Sequence, residues 1–355
     1  MTDETETAIQ RSQASYFEGR ARLNRWAAWV LVALGVLLTA LAIWALGLAV
    51  QAWQATGPVA AKPVASATPP IPGREGLTAN LWTRASLEYP LSIRSTYAAA
   101  TAALSTATTV VAIEDAEHYG KPSMRRRAVI LDLDETALDN SPQQAGEIAR
   151  GEAFNAATWD DWVSREAELA LPGAVEFTQA AKAKGLTVFY LTNRECPKPI
   201  SDNATFASLE KDCPQKFHTM RRMQKLGFAR AEDMSAFYLH KQDASLIGDG
   251  ADKQLRRARV ARDYDIVMLV GDDLGDFLPR AMVGVYRAGR LTGAAVSDLE
   301  KMFGRSWFLL PNPSYGSWDL FLRSSYCPGD ISKDLVSCAE RLYPALRPAP
   351  PPSKL

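Results

Sequence analysis

An α/β fold built around a parallel sheet is the class this sequence predicts, and three observations predict it. Ala128-Val129-Ile130-Leu131, Val188-Phe189-Tyr190-Leu191 and Ile266-Val267-Met268-Leu269-Val270 are short unbroken apolar runs, as strands buried on both faces must be. Each run stops at a polar cluster: Asp132-Leu133-Asp134-Glu135-Thr136 after the first, Thr192-Asn193-Arg194 after the second, Gly271-Asp272-Asp273-Leu274-Gly275-Asp276 after the third. The segments between the runs carry helical patterns, and strands alternating with helices make a parallel sheet. Polar residues at the carboxyl ends of such strands mark where these sheets bind ligands.

The elements follow in order. No residue from Trp26 to Val50 is charged. As a helix this stretch runs about 37 Å, against roughly 30 Å of hydrocarbon, so residues 26–53 are expected to span a membrane once. It exceeds a cleavable signal core in length, although Ala65-Ser66-Ala67 fits a small-residue cleavage site. Trp26, Trp29, Trp44 and Trp53 suit its interfacial flanks. Arg11, Arg20, Arg22 and Arg25 precede it and only Lys62 follows closely. Residues 1–25 are therefore expected in the cytoplasm as a short tail, and the rest on the periplasmic side of an inner membrane.

Residues 54–79, rich in Ala, Pro and Thr, read as a flexible linker, and residues 80–343 as the folded domain. Residues 80–118 show helical spacing through Leu87, Leu91, Tyr97 and Leu104. Ala145 to Leu171 reads as helical up to the break at Pro172-Gly173. A helix over 174–184 ends near Gly185, and another over 215–226 ends at Gly227. The short apolar run Ala236–Leu239 comes next, then a helix around 251–262 leading into the third long run. Gly248-Asp249 imitates the last polar cluster but reads as a loop, and the proline-rich residues 344–355 as a disordered tail.

The first cluster carries the chemistry. Asp132 and Asp134 stand two positions apart at a strand end, where alternation can put both on one side. One carboxylate could attack covalently while the other moves protons, and both could help hold a hard cation. Asp-x-Asp alone equally describes a strand end followed by a helix cap. The order Asp-Leu-Asp-Glu-Thr, Thr-Asn-Arg, lysine, Gly-Asp-Asp-x-x-Asp resembles the haloacid dehalogenase-like phosphohydrolases. AVILDLDETALDNSP, PGAVEF, VFYLTNR, MQKLGF, AFYLHK, VGDDLGDF and LLPNPSYGSW look like the bacterial lipoprotein acid phosphatase and 5′-nucleotidase family, to which class B-type and plant vegetative-storage-type acid phosphatases are related. The likeness runs from about Leu81 to about Trp318.

The resemblance implies a Rossmann-like sheet of the haloacid dehalogenase-like fold with accessory helices. It implies an acid phosphatase that hydrolyses phosphate monoesters, including nucleoside 5′-monophosphates. Asp132 would be the nucleophile that forms an aspartyl-phosphate, and Asp134 the acid to the leaving oxygen and then the base for water. Mg²⁺ would sit among the Asp132 carboxylate, the Asp134 backbone carbonyl and Asp272, with Asp276 supporting its waters. Thr192 and Asn193 would donate to the phosphoryl oxygens. Lys253 would pair with the phosphate and the nucleophile, with Lys241 as a rival. Phe154, Trp159, Trp162 and Tyr315 match family aromatics that can stack on a base or phenyl ring. Asp273 stands where many relatives carry Asn and is expected to face solvent. Two alternatives stay open: transfer of the phosphoryl group to an alcohol through the same intermediate, and a non-catalytic storage relative. An acid optimum is expected because Asp134 must be protonated to donate.

Composition narrows the partners. Lys+Arg and Asp+Glu both number 40, so no basic excess points to nucleic acid. The four cysteines, Cys196, Cys213, Cys327 and Cys338, all follow the apolar stretch. An even count on an exported side favours two disulfides; the local pairings Cys196–Cys213 and Cys327–Cys338 are preferred among three connectivities. Zinc suits neither the spacings nor the three histidines, His118, His218 and His240. Since no cysteine precedes Cys196, the chain departs from its lipoprotein relatives, and the apolar helix is the simpler anchor. A homo-oligomer remains open.

Overall fold

The computed structural model describes residues 76–243, 252–290 and 294–327. The stretch expected to span the membrane, most of the linker, the Gly248-Asp249 loop, Cys338 and the proline-rich tail lie outside them. Among the described residues no helix is long and apolar enough to cross a membrane.

The elements run α1 (Leu77–Ala85), α2 (Glu88–Ala103), β1 (Arg127–Leu131), β2 (Leu138–Asp139), α3 (Ser141–Arg150), α4 (Ala156–Ser164), β3 (Leu169–Ala170), α5 (Ala174–Ala183), β4 (Thr187–Glu195), α6 (Phe206–Asp212), α7 (Pro214–Leu226), β5 (Phe237–His240), α8 (Gln254–Ala261), β6 (Asp265–Gly271), α9 (Arg280–Arg287), α10 (Ala294–Glu300), β7 (Trp307–Leu309) and α11 (Ser317–Tyr326). The main sheet has the order β5-β4-β1-β6-β7, and every neighbouring pair is parallel. β2 and β3 form a separate antiparallel pair.

The three apolar runs become β1, β4 and β6, the middle of the sheet, and both faces are buried. Val129 and Leu131 pack on one face with Ile93 and Tyr97 of α2, Phe177 of α5 and Met220 of α7. Ala128 and Ile130 turn to the other, against Val260 of α8 and Val283 of α9. This is the alternation a strand enforces. It breaks once, where the β1–β6 register shifts between Ala128 and Val129, which pair with Ile266 and Met268. The extra residue lets Val267 and Met268 serve the same face.

Chain order sends β4 and β5 to one side of β1 and β6 and β7 to the other. The crevice at the carboxyl end of β1 and β6 is thus a switch point. Asp132 follows β1 and Asp272 follows β6, and the Asp132 N–H donates to the Val270 carbonyl at 3.0 Å. The topology alone brings the first and last acidic clusters together.

Three expectations need correcting. Helix α2 ends at Ala103, not near residue 118, because the β-branched run Thr108-Thr109-Val110-Val111 disfavours helix and the Val111 N–H donates instead to the Ile266 carbonyl. Ala145 to Leu171 is not one helix: Gly151 ends α3 in the left-handed region, Asn155 opens α4 by accepting from the Ala157 and Thr158 N–H groups, and Leu169–Ala170 forms β3. The first helix also begins inside the expected linker, at Leu77. The predicted stops near Gly185 and Gly227 hold, with φ of 75° and 86°.

Candidate active site

The site is assembled from three strand ends and the turn before α8. Asp132, immediately after β1, is buried at 7% exposure. Lys253, at the N-cap position of α8 and equally buried, donates to Asp132 Oδ1 and, at 2.6 Å, to Asp276 Oδ1. Asp276 lies in the short 3-10 turn Leu274–Asp276 after β6. Gly271 makes room for it, since a Cβ there would collide with the Asp276 carboxylate. Asp272 completes the group, accepting from Thr136 Oγ1 at 3.0 Å and from Asn312 Nδ2 at 2.8 Å.

Carboxylate oxygens of Asp132, Asp272 and Asp276 lie within 4.8 Å of one another. Burial is the main force on Asp132: with the Asp276 and Asp134 charges it outweighs the pull of Lys253 and pushes the carboxyl up to about 7. Burial, reinforced by Asp132 and Asp276, pushes Asp272 well above its ordinary value. The Asp132 and Asp276 carboxylates hold the Lys253 ammonium charged against its own burial. Lys253 offsets one charge of this trio, so the all-oxygen donor set fits a hard divalent cation that supplies the rest.

Asp134 stands apart from the trio. Its Oδ1 accepts from Asn140 Nδ2 at 2.9 Å and from Arg194 Nε and Nη2 at 3.0 and 2.8 Å. Thr192 Oγ1 lies 3.4 Å from its Oδ2. Thr192 is buried and Asn193 exposed, both at the β4 end. Arg256, fully buried on α8, donates to the Thr192 carbonyl and, at 2.8 Å, to Asn193 Oδ1, tying the lysine turn to β4.

Residues 92–318, well over half of the chain, match the family described as HAD superfamily, subfamily IIIB (acid phosphatase). The chain belongs to this family. It is similar to the solved class C acid phosphatase from Bacillus anthracis, at 27% identity over 75% of this chain and 95% of that one, with a TM-score of 0.56. The structure of that class C acid phosphatase with tungstate bound gives the same figures. The protein is a phosphomonoester hydrolase of the acid phosphatase family, with the α/β haloacid dehalogenase-like fold.

The two candidate lysines of this acid phosphatase lie in different surroundings. Lys241 sits 2.8 Å from Glu195 and is 41% exposed, whereas Lys253 is the one of the two that contacts the acidic trio. Asp273 does not face solvent as expected. It caps the 3-10 turn through the Gly275 N–H at 2.7 Å and accepts from the Ser317 N–H and hydroxyl, both at 2.5 Å. Its carboxylate therefore fastens α11 to the turn that carries Asp276.

The aromatics separate. Trp162 is buried, and its indole donates to Asn140 Oδ1 at 2.9 Å, so it supports Asp134 indirectly and offers no stacking face. Phe154 is 69% exposed and packs on Trp159 with ring centroids 6.2 Å apart. The Arg194 guanidinium lies 5.4 Å from the Trp159 ring centroid. Tyr315 is 40% exposed and its hydroxyl donates to Glu135. Sequence reasoning assigned no role to Arg194, Asn140, Asn312 or Arg256. Arg194 left a signal: it shares the buried side of β4 with Thr192, and a cation there needs a buried partner.

Proposed function

We propose a Mg²⁺-dependent acid phosphatase that works through an aspartyl-phosphate on Asp132, with nucleoside 5′-monophosphates among its substrates. The observation that carries this reading is the division of labour at the β1 end: Asp132 on Lys253 beside Asp272 and Asp276, and Asp134 held separately by Arg194 and Asn140. Asp132 attacks phosphorus as the ester P–O bond breaks, and Asp134 gives its proton to the leaving oxygen. Water then attacks phosphorus, Asp134 takes its proton, and the Asp132–phosphorus bond breaks to release phosphate. Lys253 and the donors Thr192 and Asn193 neutralise and position the phosphoryl oxygens. Mg²⁺, held by Asp132, Asp272, the Asp134 carbonyl and, through its waters, Asp276, would supply charge neutralisation.

Exposed Phe154 beside Trp159, and Tyr315 on the side of Glu135, support recognition of a flat leaving group; stacking on a base contributes about 1–3 kcal/mol. The Cys196–Cys213 disulfide supports an exported domain anchored by the apolar stretch. The test is phosphate release by the whole chain in detergent from p-nitrophenyl phosphate and from AMP, with Mg²⁺ or with EDTA. Asp132→Asn is expected to abolish release while the protein stays folded, and EDTA to suppress it. Appreciable release by Asp132→Asn removes the nucleophile assignment, and indifference to EDTA removes the metal.

A further inference from the structure

The site leaves one strongly built feature unused: a buried arginine aimed at a single oxygen of the proposed general acid. Arg194 is 2% exposed. Its Nη1 donates to Thr219 Oγ1 at 2.8 Å, and its Nη2 is shared between Glu168 Oε1 at 3.0 Å and Asp134 Oδ1 at 2.8 Å. Its Nε lies 3.0 Å from Asp134 Oδ1 and 3.3 Å from Oδ2. Glu168 and Thr219 are both fully buried, and the Trp159 ring covers the guanidinium. The fork is thus fixed from behind by two fully buried side chains, Glu168 and Thr219.

The consequence is an asymmetry between the two carboxylate oxygens. With Asn140 included, Oδ1 receives three donors at 2.8–3.0 Å, whereas Oδ2 has only the contacts at 3.3 and 3.4 Å among the described residues. An oxygen whose lone pairs are already engaged is a poor place for a proton. The oxygen with weaker partners can bond a proton directed at the leaving group.

We propose that Arg194 is a positioning residue that makes Oδ2 of Asp134 the proton-transferring atom, with Glu168 and Thr219 holding the arginine in register. As the ester P–O bond breaks and the Asp132–phosphorus bond forms, the proton on Oδ2 passes to the ester oxygen. In the second step water gives a proton back to Oδ2 while its oxygen bonds phosphorus and Asp132 is released. A phosphate or cation role for Arg194 is poorer, because its donors are already committed to Asp134, Glu168 and Thr219.

This inference rests on the general-acid reading of Asp134, and the test separates the two. A leaving group that departs readily needs no proton, so loss of a positioned acid spares p-nitrophenyl phosphate and harms a poor leaving group such as a simple alkyl phosphate. The readout is the ratio of kcat/KM values for these two substrates. Asp134→Asn is expected to shift that ratio by about 10²-fold or more against the alkyl ester. Arg194→Gln combined with Glu168→Gln removes the fork without stranding Glu168 and is expected to shift it in the same direction by about tenfold or more. Thr219→Val, which removes one of the two rear anchors and leaves every charge in place, is expected to give a smaller shift of the same sign and serves if the double variant does not fold. Arg194→Lys in the Glu168 background is expected to recover part of the ratio. If Asp134→Asn lowers both substrates equally, the general-acid reading itself falls. If Asp134→Asn shifts the ratio but the double variant and Thr219→Val do not, the positioning role of Arg194 is overturned alone.

Discussion

Each residue at the site is set by what its neighbours cannot share. Lys253 bonds two carboxylates of the acidic trio, while the third, Asp272, depends on neutral donors from Thr136 and Asn312. That leaves charge for a cation to balance, which uncharged neighbours do not supply. The tightest steric condition falls on Gly271, where any side chain meets Asp276. Gly271→Ala is expected to displace Asp276 from Lys253 and to cost about 1–3 kcal/mol of stability, as overpacking does. Urea denaturation and kcat measured on one preparation check this; wild-type values for both would mean that Asp276 moves aside without consequence. Asp273 shows the opposite case, a carboxylate beside the acidic trio whose work is structural, joining the turn to Ser317.

At the scale of elements, the segment after β4 is pinned by the Cys196–Cys213 disulfide, which joins the strand end carrying Thr192, Asn193 and Arg194 to the start of α7. Cys327 is also disulfide-bonded, with its partner outside the described residues. The Cys196–Cys213 loop spans a sequence separation of 17. Replacing both cysteines by serine is expected to lower stability by about 3 kcal/mol through the freedom returned to the unfolded chain. Equilibrium denaturation of the double variant measures it, and a change near zero would show that this segment is equally constrained without the bond. α7 matters to the site because it also carries Thr219 behind Arg194. Long apolar strands and glycine-terminated helices were legible in the sequence because their signals are local. The break between α3 and α4 was not, because a helical pattern runs on both sides of it and a lone glycine such as Gly151 is also compatible with a helix interior.

For the molecule as a whole, buried acids of two kinds shape stability against pH. Burial opposes the charge of Glu166, yet Lys225, His218 and Arg221 outweigh it and hold the carboxyl below its ordinary 4.5. Burial likewise opposes Asp265, and the N–H groups of Arg125 and Met124, the Ser123 hydroxyl and the Arg125 guanidinium hold it below 3.8. A depressed folded pKa adds stability that is complete above the ordinary value and lost as pH falls through the folded one. These two groups therefore keep their contribution at pH 4.5 and lose it below. Asp132 acts in reverse. Raised from 3.8 to about 7, it binds more protons folded than unfolded between those values, so stability falls as pH rises across that window. Metal-free protein is expected to melt highest in the acid part of the window and progressively lower toward pH 7. Saturating Mg²⁺ is expected to flatten that slope, and Asp272→Asn to remove the flattening. Melting curves at a series of pH values, with and without Mg²⁺, decide this; identical slopes in the two conditions would remove the cation from the trio.

By itself the sequence determined the parallel sheet and the order of the acidic and polar clusters that end its strands. Buried strands need unbroken apolar runs, and ligand sites need polar groups where those runs end, so both are written locally. Tertiary structure alone decided which lysine meets the acidic trio, because only the placement of α8 against β1 and β6 brings Lys253 within reach of two carboxylates. It also turned Asp273 inward, sent Trp162 to Asn140 and put Arg194 behind Asp134. A sequence pattern fixes the face of an element on which a side chain lies, whereas its partner belongs to an element up to 180 residues away, as Glu135 and Tyr315 are.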